Sequence, residues 1–231
     1  MKLYTWWRSQ ASFRVRIALR FKGLDVEMLF VDLSKDEQLD ANYRAINPEM
    51  VLPTLIDGDG PPLVQSLSIL EYLEERYPEP RLLPMEPQAR AHVRALAQTV
   101  AADAHPFIVP RVRKYLQQEL ALDEPTRMKW LRYWLDSGTR VIEEQLSRDS
   151  RTGRFCYGDA PTIADICLVA HLTSAKMLYD CNLGPYPTAQ RIFETCMQLD
   201  AFINAHPLQQ PDAPKTIYAM RNAIPGPANL F

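Results

Sequence analysis

The sequence predicts a small α/β domain followed by an all-α domain. Strand-like and helix-like patterns alternate over the first ~80 residues, and beyond the proline cluster Pro78, Pro80, Pro84 and Pro87 strand signals disappear. The 231 residues are enough for one large domain or two ordinary ones, and 47% hydrophobic with 23% charged residues matches a soluble globular composition and excludes a disordered or collagen-like chain.

Leu3-Tyr4-Thr5-Trp6-Trp7 is aromatic-rich and reads as the first strand. Ser12 to Lys22 reads as a helix with Val15, Ala18 and Leu19 on its apolar face, Arg14 and Arg16 off that face, and Gly23 at the C′ position. Val26 to Val31 reads as the second strand. A polar helix from Lys35 to Ala45 ends before Asn47-Pro48, because proline disfavours helix in the residue before it. Thr54-Leu55-Ile56 and Pro62-Leu63-Val64-Gln65 flank Asp57-Gly58-Asp59-Gly60, residues suited to a tight reversal, so an antiparallel hairpin is expected. Ser66 is expected to cap a helix to about Tyr77, with Leu67, Leu70 and Leu73 inward and Glu74-Glu75 exposed. The order β-α-β-α-β-β-α, with a proline opening the third strand, is the thioredoxin-like arrangement.

Helical patterns then run to about Gln118 with interruptions near Pro106 and Pro110, from Glu124 to Leu146, from Thr162 to Tyr179, and from Thr188 to Ala205. Thr162-Ile163-Ala164-Asp165 has the spacing of a capping box, with Asp in the position usually held by Glu or Gln. The expected division is residues 1–82, residues 88–210 and a Pro-rich tail, 211–231, carrying Pro211, Pro214, Pro225 and Pro227 and expected to lie extended or disordered.

Lys plus Arg number 26 and Asp plus Glu 28, a formal charge of −2, with no basic block to track a phosphate backbone. A nucleic-acid partner is not expected. No run approaches the ~18 apolar residues of a membrane span, and Met1 to Arg8 lacks signal-peptide features, so a soluble cytoplasmic protein is expected. Cys156, Cys167, Cys181 and Cys196 are too widely spaced for a CxxC pair and read as reduced core thiols. His92, His105, His171 and His206 are scattered, and no metal is expected.

Three loops carry candidate chemistry. Arg8-Ser9-Gln10-Ala11-Ser12 puts hydroxyls and free backbone N–H groups at a helix start, where an anion such as a thiolate is stabilised; the plain alternative is that Ser9 or Ser12 only caps the helix. Leu52-Pro53 opens the third strand with an X–Pro bond, a type that is cis in about 5–6% of folded-protein cases. A cis bond there would present the Leu52 backbone to an extended peptide ligand as an added strand; the alternative is a trans edge-strand proline. Gln65-Ser66 could meet a ligand carboxylate at the next helix start, or merely cap it. In this fold all three loops share one edge and offer thiolate, backbone and carboxylate sites in line, as a small γ-glutamyl thiol peptide requires.

Over nearly its whole length the chain resembles the zeta-class glutathione transferases, which include the maleylacetoacetate and maleylpyruvate isomerases. The resemblance rests on Trp7-Arg8-Ser9-x-x-Ser12-x-Arg14-Val15-Arg16-Ile17-Ala18-Leu19, Asn47-Pro48, Leu52-Pro53-Thr54-Leu55, Gln65-Ser66-Leu67-x-Ile69-x-Glu71-Tyr72-Leu73-Glu74-Glu75, Gly158-Asp159-x-Pro161-Thr162-x-Ala164-Asp165 and Pro185-Tyr186-Pro187. It implies the cytosolic glutathione transferase fold, with glutathione held in the first domain and the second substrate in the helical one. It further implies that Ser9 steadies the glutathione thiolate, with Gln10, Ala11 and Ser12 around it, that Leu52 and Pro53 pair with the cysteinyl backbone, and that Gln65 and Ser66 hold the γ-glutamyl carboxylate. Gln38 and His105 match further glutathione contacts. Lowering a thiol pKa from about 8.5 by two units takes about 2.7 kcal/mol, within reach of one charge-assisted hydrogen bond plus a helix N-terminus.

The implied reaction is thiolate addition to the cis double bond of a dicarboxylic keto acid, rotation about the resulting single bond, and elimination of glutathione. A dianionic substrate asks for cations, for which Arg8 is the first candidate and Arg111 and Lys176 the next; the alternative for each is a solvated surface charge. The family also implies a homodimer. Departures are Ser9-Gln10-Ala11 in place of Ser-Ser-Cys, which disfavours mixed-disulfide dehalogenation, Val109 in place of an asparagine, and Lys176-Met177 in place of an arginine-bearing segment. The last two suggest a larger or more apolar second pocket. A conjugating or cleaving transferase or lyase for an aromatic or halogenated substrate is therefore the close alternative, and a non-catalytic ligand-binding protein of the same fold is the alternative of another class.

Overall fold

In the computed structural model, which describes residues 1–215, β1 (Lys2–Thr5) lies parallel to β2 (Glu27–Phe30) and antiparallel to β3 (Thr54–Ile56). β3 pairs antiparallel with β4 (Leu63–Val64), giving the sheet order β2-β1-β3-β4. Gly58 takes φ 58° in the reversal between β3 and β4, where Gly60 N–H donates to the Asp57 carbonyl at 3.1 Å. Trp6 and Trp7, expected inside the first strand, lie beyond it: the Ser9 N–H donates to the Trp6 carbonyl at 3.0 Å and turns the chain into α1 (Gln10–Phe21).

α1 buries Phe13, Val15, Ile17, Ala18 and Leu19, and with them Arg14 and Arg16, which sequence patterning puts off the apolar face. Their guanidinium groups find acceptors inside the fold, and that compensation permits burial at 2% and 1% exposure. The polar helix expected over 35–45 reduces to a 3-10 turn, Glu37–Leu39, and α2 (Ala41–Ile46), because Asp36 at φ 61° and extended Asp40 interrupt it. α3 (Ser66–Arg76) is preceded by Gln65 at φ 66°, which occupies the cap position without a side-chain cap bond. Ser66 is thus the first helical residue and not the cap. Glu74, expected exposed, is buried against the Lys22 Nζ at 2.9 Å, and Lys22 also donates to the Tyr77 and Pro80 carbonyls at 2.7 and 2.8 Å.

Backbone proximity divides the described chain into two units, one of residues 1–81 with the segment from Asp200 onward, the other Leu82–Leu199. The helix expected over 188–205 is broken at Met197–Leu199 into α8 (Pro187–Cys196) and α9 (Asp200–Ala205). α9 packs on α1 with Phe202 and Ala205 buried, which is why this segment groups with the sheet. Of the expected tail, Pro211 to Lys215 continue from the 3-10 turn Pro207–Gln209, and residues 216–231 lie outside the described residues.

The second unit is helical: α4 (Pro87–Ala101), a 3-10 turn His105–Phe107, α5 (Pro110–Gln118), α6 (Glu124–Arg148), α7 (Ile163–Tyr179) and α8. α7 is buried continuously from Ile163 to Ala175 and packs against α4, α6 and α8. Its expected capping box forms, and Asp165 goes further. One carboxylate oxygen accepts from the Thr162 N–H at 2.8 Å and hydroxyl at 2.7 Å, the other from the Cys156 N–H at 2.7 Å, so the preceding loop is fastened to the helix start.

Candidate functional site

The sheet register fixes which loops meet. Tyr4 pairs with Thr54 and Thr54 with Val64, so the loop after β1, the segment before β3 and the residues after β4 leave the sheet at one end, on neighbouring strands roughly 4.8 Å apart. β2 runs parallel to β1, so the loop carrying Gln38 leaves at that end as well.

In the first loop Ser9 sits at φ −66°, ψ 115° as the N-cap of α1, and its Oγ accepts from the Ser12 N–H at 3.2 Å. Accepting leaves the hydroxyl proton free to be donated, so capping and a role toward an anion are compatible. Arg8 is 7% exposed, which removes the surface-cation alternative for it. Ser12 Oγ and both polar atoms of the Gln10 amide are buried with no partner among the described residues. Buried polar side chains are ordinarily satisfied, so such a group at the start of α1 asks for an account. Ala11 contributes only its small side chain and the backbone of the first turn.

The Leu52–Pro53 bond is cis. Val51, just before it, is fixed through its carbonyl, which accepts from the Tyr43 hydroxyl at 2.7 Å and the Asn47 amide at 2.9 Å. The N–H and C=O of Leu52 itself meet no partner among the described residues. At the third loop the Gln65 amide donates to Glu49 at 2.6 Å on the exposed surface, whereas the Ser66 hydroxyl is buried and accepts from Arg14 Nη1 at 3.1 Å. Gln38 donates to Asp36 Oδ1 at 3.3 Å, and its own carbonyl oxygen is buried without a partner among the described residues.

The structure thus brings Arg8, Ser9, Gln10, Ala11, Ser12, Leu52, Pro53, Gln65 and Ser66 to one end of the first unit, with Gln38 on the adjoining loop. The remaining candidates belong to the second unit: His105 is half-buried in the 3-10 turn, Arg111 is exposed in the first turn of α5 and Lys176 is exposed in the last turn of α7. Sequence reasoning missed Arg14 as the partner of Ser66. Its only local signal is an arginine between apolar residues of a short helix, which reads as surface until the partner from α3 is known. Among the described residues no group of three or more His, Cys, Asp or Glu side chains is arranged to hold a metal.

Residues 3–81 match the family described as glutathione S-transferase, N-terminal domain. Maleylpyruvate isomerase of Ralstonia sp is 42% identical over 213 residues, 92% of this chain and all of that protein. A solved holo structure of maleyl pyruvate isomerase, described as a bacterial zeta-class glutathione S-transferase, superposes with a TM-score of 0.89 at 42% identity over 93% of this chain and 100% of that one. Maleylacetoacetate isomerase from Methylobacterium extorquens AM1, solved with bound malonate and GSH, gives 0.88 at 47% identity over 93% of this chain and 100% of its own. The thioredoxin-like N-terminal unit, the helical remainder and these likenesses agree: the chain belongs to the zeta class of the glutathione transferase family.

Proposed function

We propose that this protein is a glutathione-dependent cis–trans isomerase acting on maleylacetoacetate or maleylpyruvate. The observation that carries the reading is the alignment, at one end of the sheet, of a donor hydroxyl (Ser9), an unpaired strand-like backbone (Leu52) and a buried hydroxyl at a helix start (Ser66), the three kinds of group that thiol, peptide and carboxylate need in turn. A maleylacetoacetate isomerase solved with both malonate and GSH bound supports a dianionic second ligand.

Glutathione supplies a thiolate that adds reversibly to the cis double bond, so that the bond can rotate. On the protein side, Ser9 donates its hydroxyl proton toward the sulfur, and the first turn of α1 adds its exposed N–H groups and dipole. Leu52 holds the peptide backbone as an added strand, and Ser66 with Gln65 takes the γ-glutamyl carboxylate at the start of α3. Gln38 and His105 are further proposed glutathione contacts, and Gln10, Ala11 and Ser12 shape the turn around the sulfur. Arg8, Arg111 and Lys176 are proposed to meet substrate carboxylates. No protein base is required, because stabilising a thiolate by about two pKa units needs only about 2.7 kcal/mol.

A transferase or lyase acting on an aromatic or halogenated substrate is the second reading, favoured by Val109 and Lys176-Met177 where the resemblance leads one to expect other residues. We take the protein to work as a cytosolic homodimer with residues 1–82 as the glutathione domain and the helices between residues 88 and 199 as the substrate domain; the expected substrate-domain boundary at 210 moves back to Leu199, because α9 packs on α1. The test is the absorbance of maleylpyruvate or maleylacetoacetate, generated in situ, with and without glutathione. Glutathione-dependent isomerisation is expected; a flat trace from protein that still binds glutathione would transfer the assignment to the second reading. Turnover equal in wild type and Ser9→Ala would remove the serine assignment.

A further inference from the structure

β1 ends at Thr5, so Trp6 and Trp7 have no strand partner to orient their peptide groups, yet Ser9 follows only two residues later. Both polar groups of Trp7 are nevertheless engaged. Its carbonyl accepts from Arg16 Nη2 at 3.0 Å, and its N–H donates to Asp212 Oδ2 at 2.8 Å, from 205 residues away in the chain. Arg16 also donates to Thr5 Oγ1 at 3.0 Å, to the Trp6 carbonyl at 3.1 Å and, through Nε, to the Ala205 carbonyl at the end of α9 at 3.2 Å.

The segment that carries Asp212 is itself fixed. The Gln210 amide donates to the Asn204 and His206 carbonyls at 3.1 and 2.9 Å, the Ala213 N–H donates to the Gln210 carbonyl at 3.0 Å, and His206 meets the Phe13 ring edge-on at 5.9 Å. The loop after β1 is therefore suspended between α1 and the segment following α9.

We propose that Asp212 is a positioning residue for the candidate active loop: by holding the Trp7 N–H it sets where Arg8 and the Ser9 hydroxyl lie relative to the reacting sulfur. The proposal rests on the reading of Ser9 as the thiolate-stabilising hydroxyl. Arg16 complements it electrostatically: burial lowers the guanidinium pKa to about 9, with the Asp212 charge acting in the opposite direction. Burial raises the Asp212 carboxyl pKa, against the Trp7 N–H bond and Arg16. Displacement of a reacting group by about 1 Å can cost on the order of 100-fold in rate, so the Trp7 N–H, two residues before Ser9 and held from the far end of the chain by Asp212, is a sensitive place to act.

The test compares wild type, Asp212→Ala, Asp212→Asn and Ser9→Ala by the ultraviolet titration of bound glutathione thiolate, by kcat and KM for the isomerisation, and by thermal unfolding. Asp212→Ala is expected to raise the pKa of the bound thiol and lower kcat about 10-fold with KM for glutathione changed less than about 3-fold, a partial loss of the positioning effect above. Asp212→Asn, which keeps an acceptor oxygen for the Trp7 N–H, should restore both. A folded Asp212→Ala with wild-type titration and kcat overturns the proposal, as does one that loses only thermal stability. Should Asp212→Ala fail to fold, Asp212→Glu, which displaces the carboxylate by one methylene, is judged by the same criteria. If Ser9→Ala leaves the titration unmoved, the reading of the loop is what fails; if Ser9→Ala shifts it and the Asp212 variants do not, only the positioning role fails.

Discussion

Arg14 Nη1 donates to the Ser66 hydroxyl at 3.1 Å, with both residues buried, so a guanidinium from the middle of α1 stands at the start of α3. A helix start already favours an anion through its free N–H groups and dipole, and a fixed positive charge behind the first hydroxyl strengthens that preference. The proposed carboxylate site at this corner thus draws on two helices, through Arg14 and Ser66, which are 52 residues apart in sequence.

Arg14→Lys should accordingly weaken glutathione binding more than it slows turnover. Lysine keeps the charge but not the planar fork, and losing a charge-assisted bond to Ser66 costs about 1.5–3 kcal/mol. KM for glutathione is expected to rise about 10-fold or more, with kcat changed far less. An unchanged KM in steady-state assays would remove Arg14 from the binding site.

Ser9→Ala separates chemistry from capping. Loss of the cap bond to the Ser12 N–H should cost about 0.5–2 kcal/mol of stability, leaving the fold intact. Loss of the hydroxyl donor to a thiolate should lower kcat/KM by about 10- to 100-fold. Kinetics and thermal melts on the same preparation check both halves.

Asp165→Ala should be among the most destabilising single changes in the helical unit. The carboxylate satisfies the buried Cys156 and Thr162 N–H groups, and truncation leaves both unpaired, for a loss of about 3–5 kcal/mol. Asp165→Asn retains one acceptor oxygen and should fall between it and wild type in urea unfolding.

Asp149 predicts an acid-sensitive contribution to stability. Bonds from Arg151 at 2.9 and 2.7 Å, with His92 at 3.1 Å, hold its carboxyl at about 2, below the ordinary 3.8. The folded pKa is depressed, so the contribution is present above the unfolded value and is lost as pH falls from 3.8 through about 2. The stability difference between wild type and Asp149→Asn should therefore be full at neutral pH and close over that window. A difference that persists unchanged to pH 2 would contradict the pairing.

The sequence by itself determined what local chemistry determines. Helix periodicity, the Asp-Gly reversal between β3 and β4, the spacing of Thr162 and Asp165, and Pro53 before Thr54 each act within a few residues, and with them the order of elements and the three candidate loops were readable. What tertiary structure alone decided is where charged residues go. Arg14, Arg16 and Glu74 read as surface because burying a lone charge is costly, and they are buried because Ser66, Ala205 and Lys22, 52 or 189 residues away, compensate them. The same holds for the segment after α9, whose prolines suggest an extended tail until Asp212 is seen on the Trp7 N–H. A hydrogen bond between residues 205 apart leaves no trace in the periodicity of either segment, since its energy depends on a distance that only the folded chain fixes.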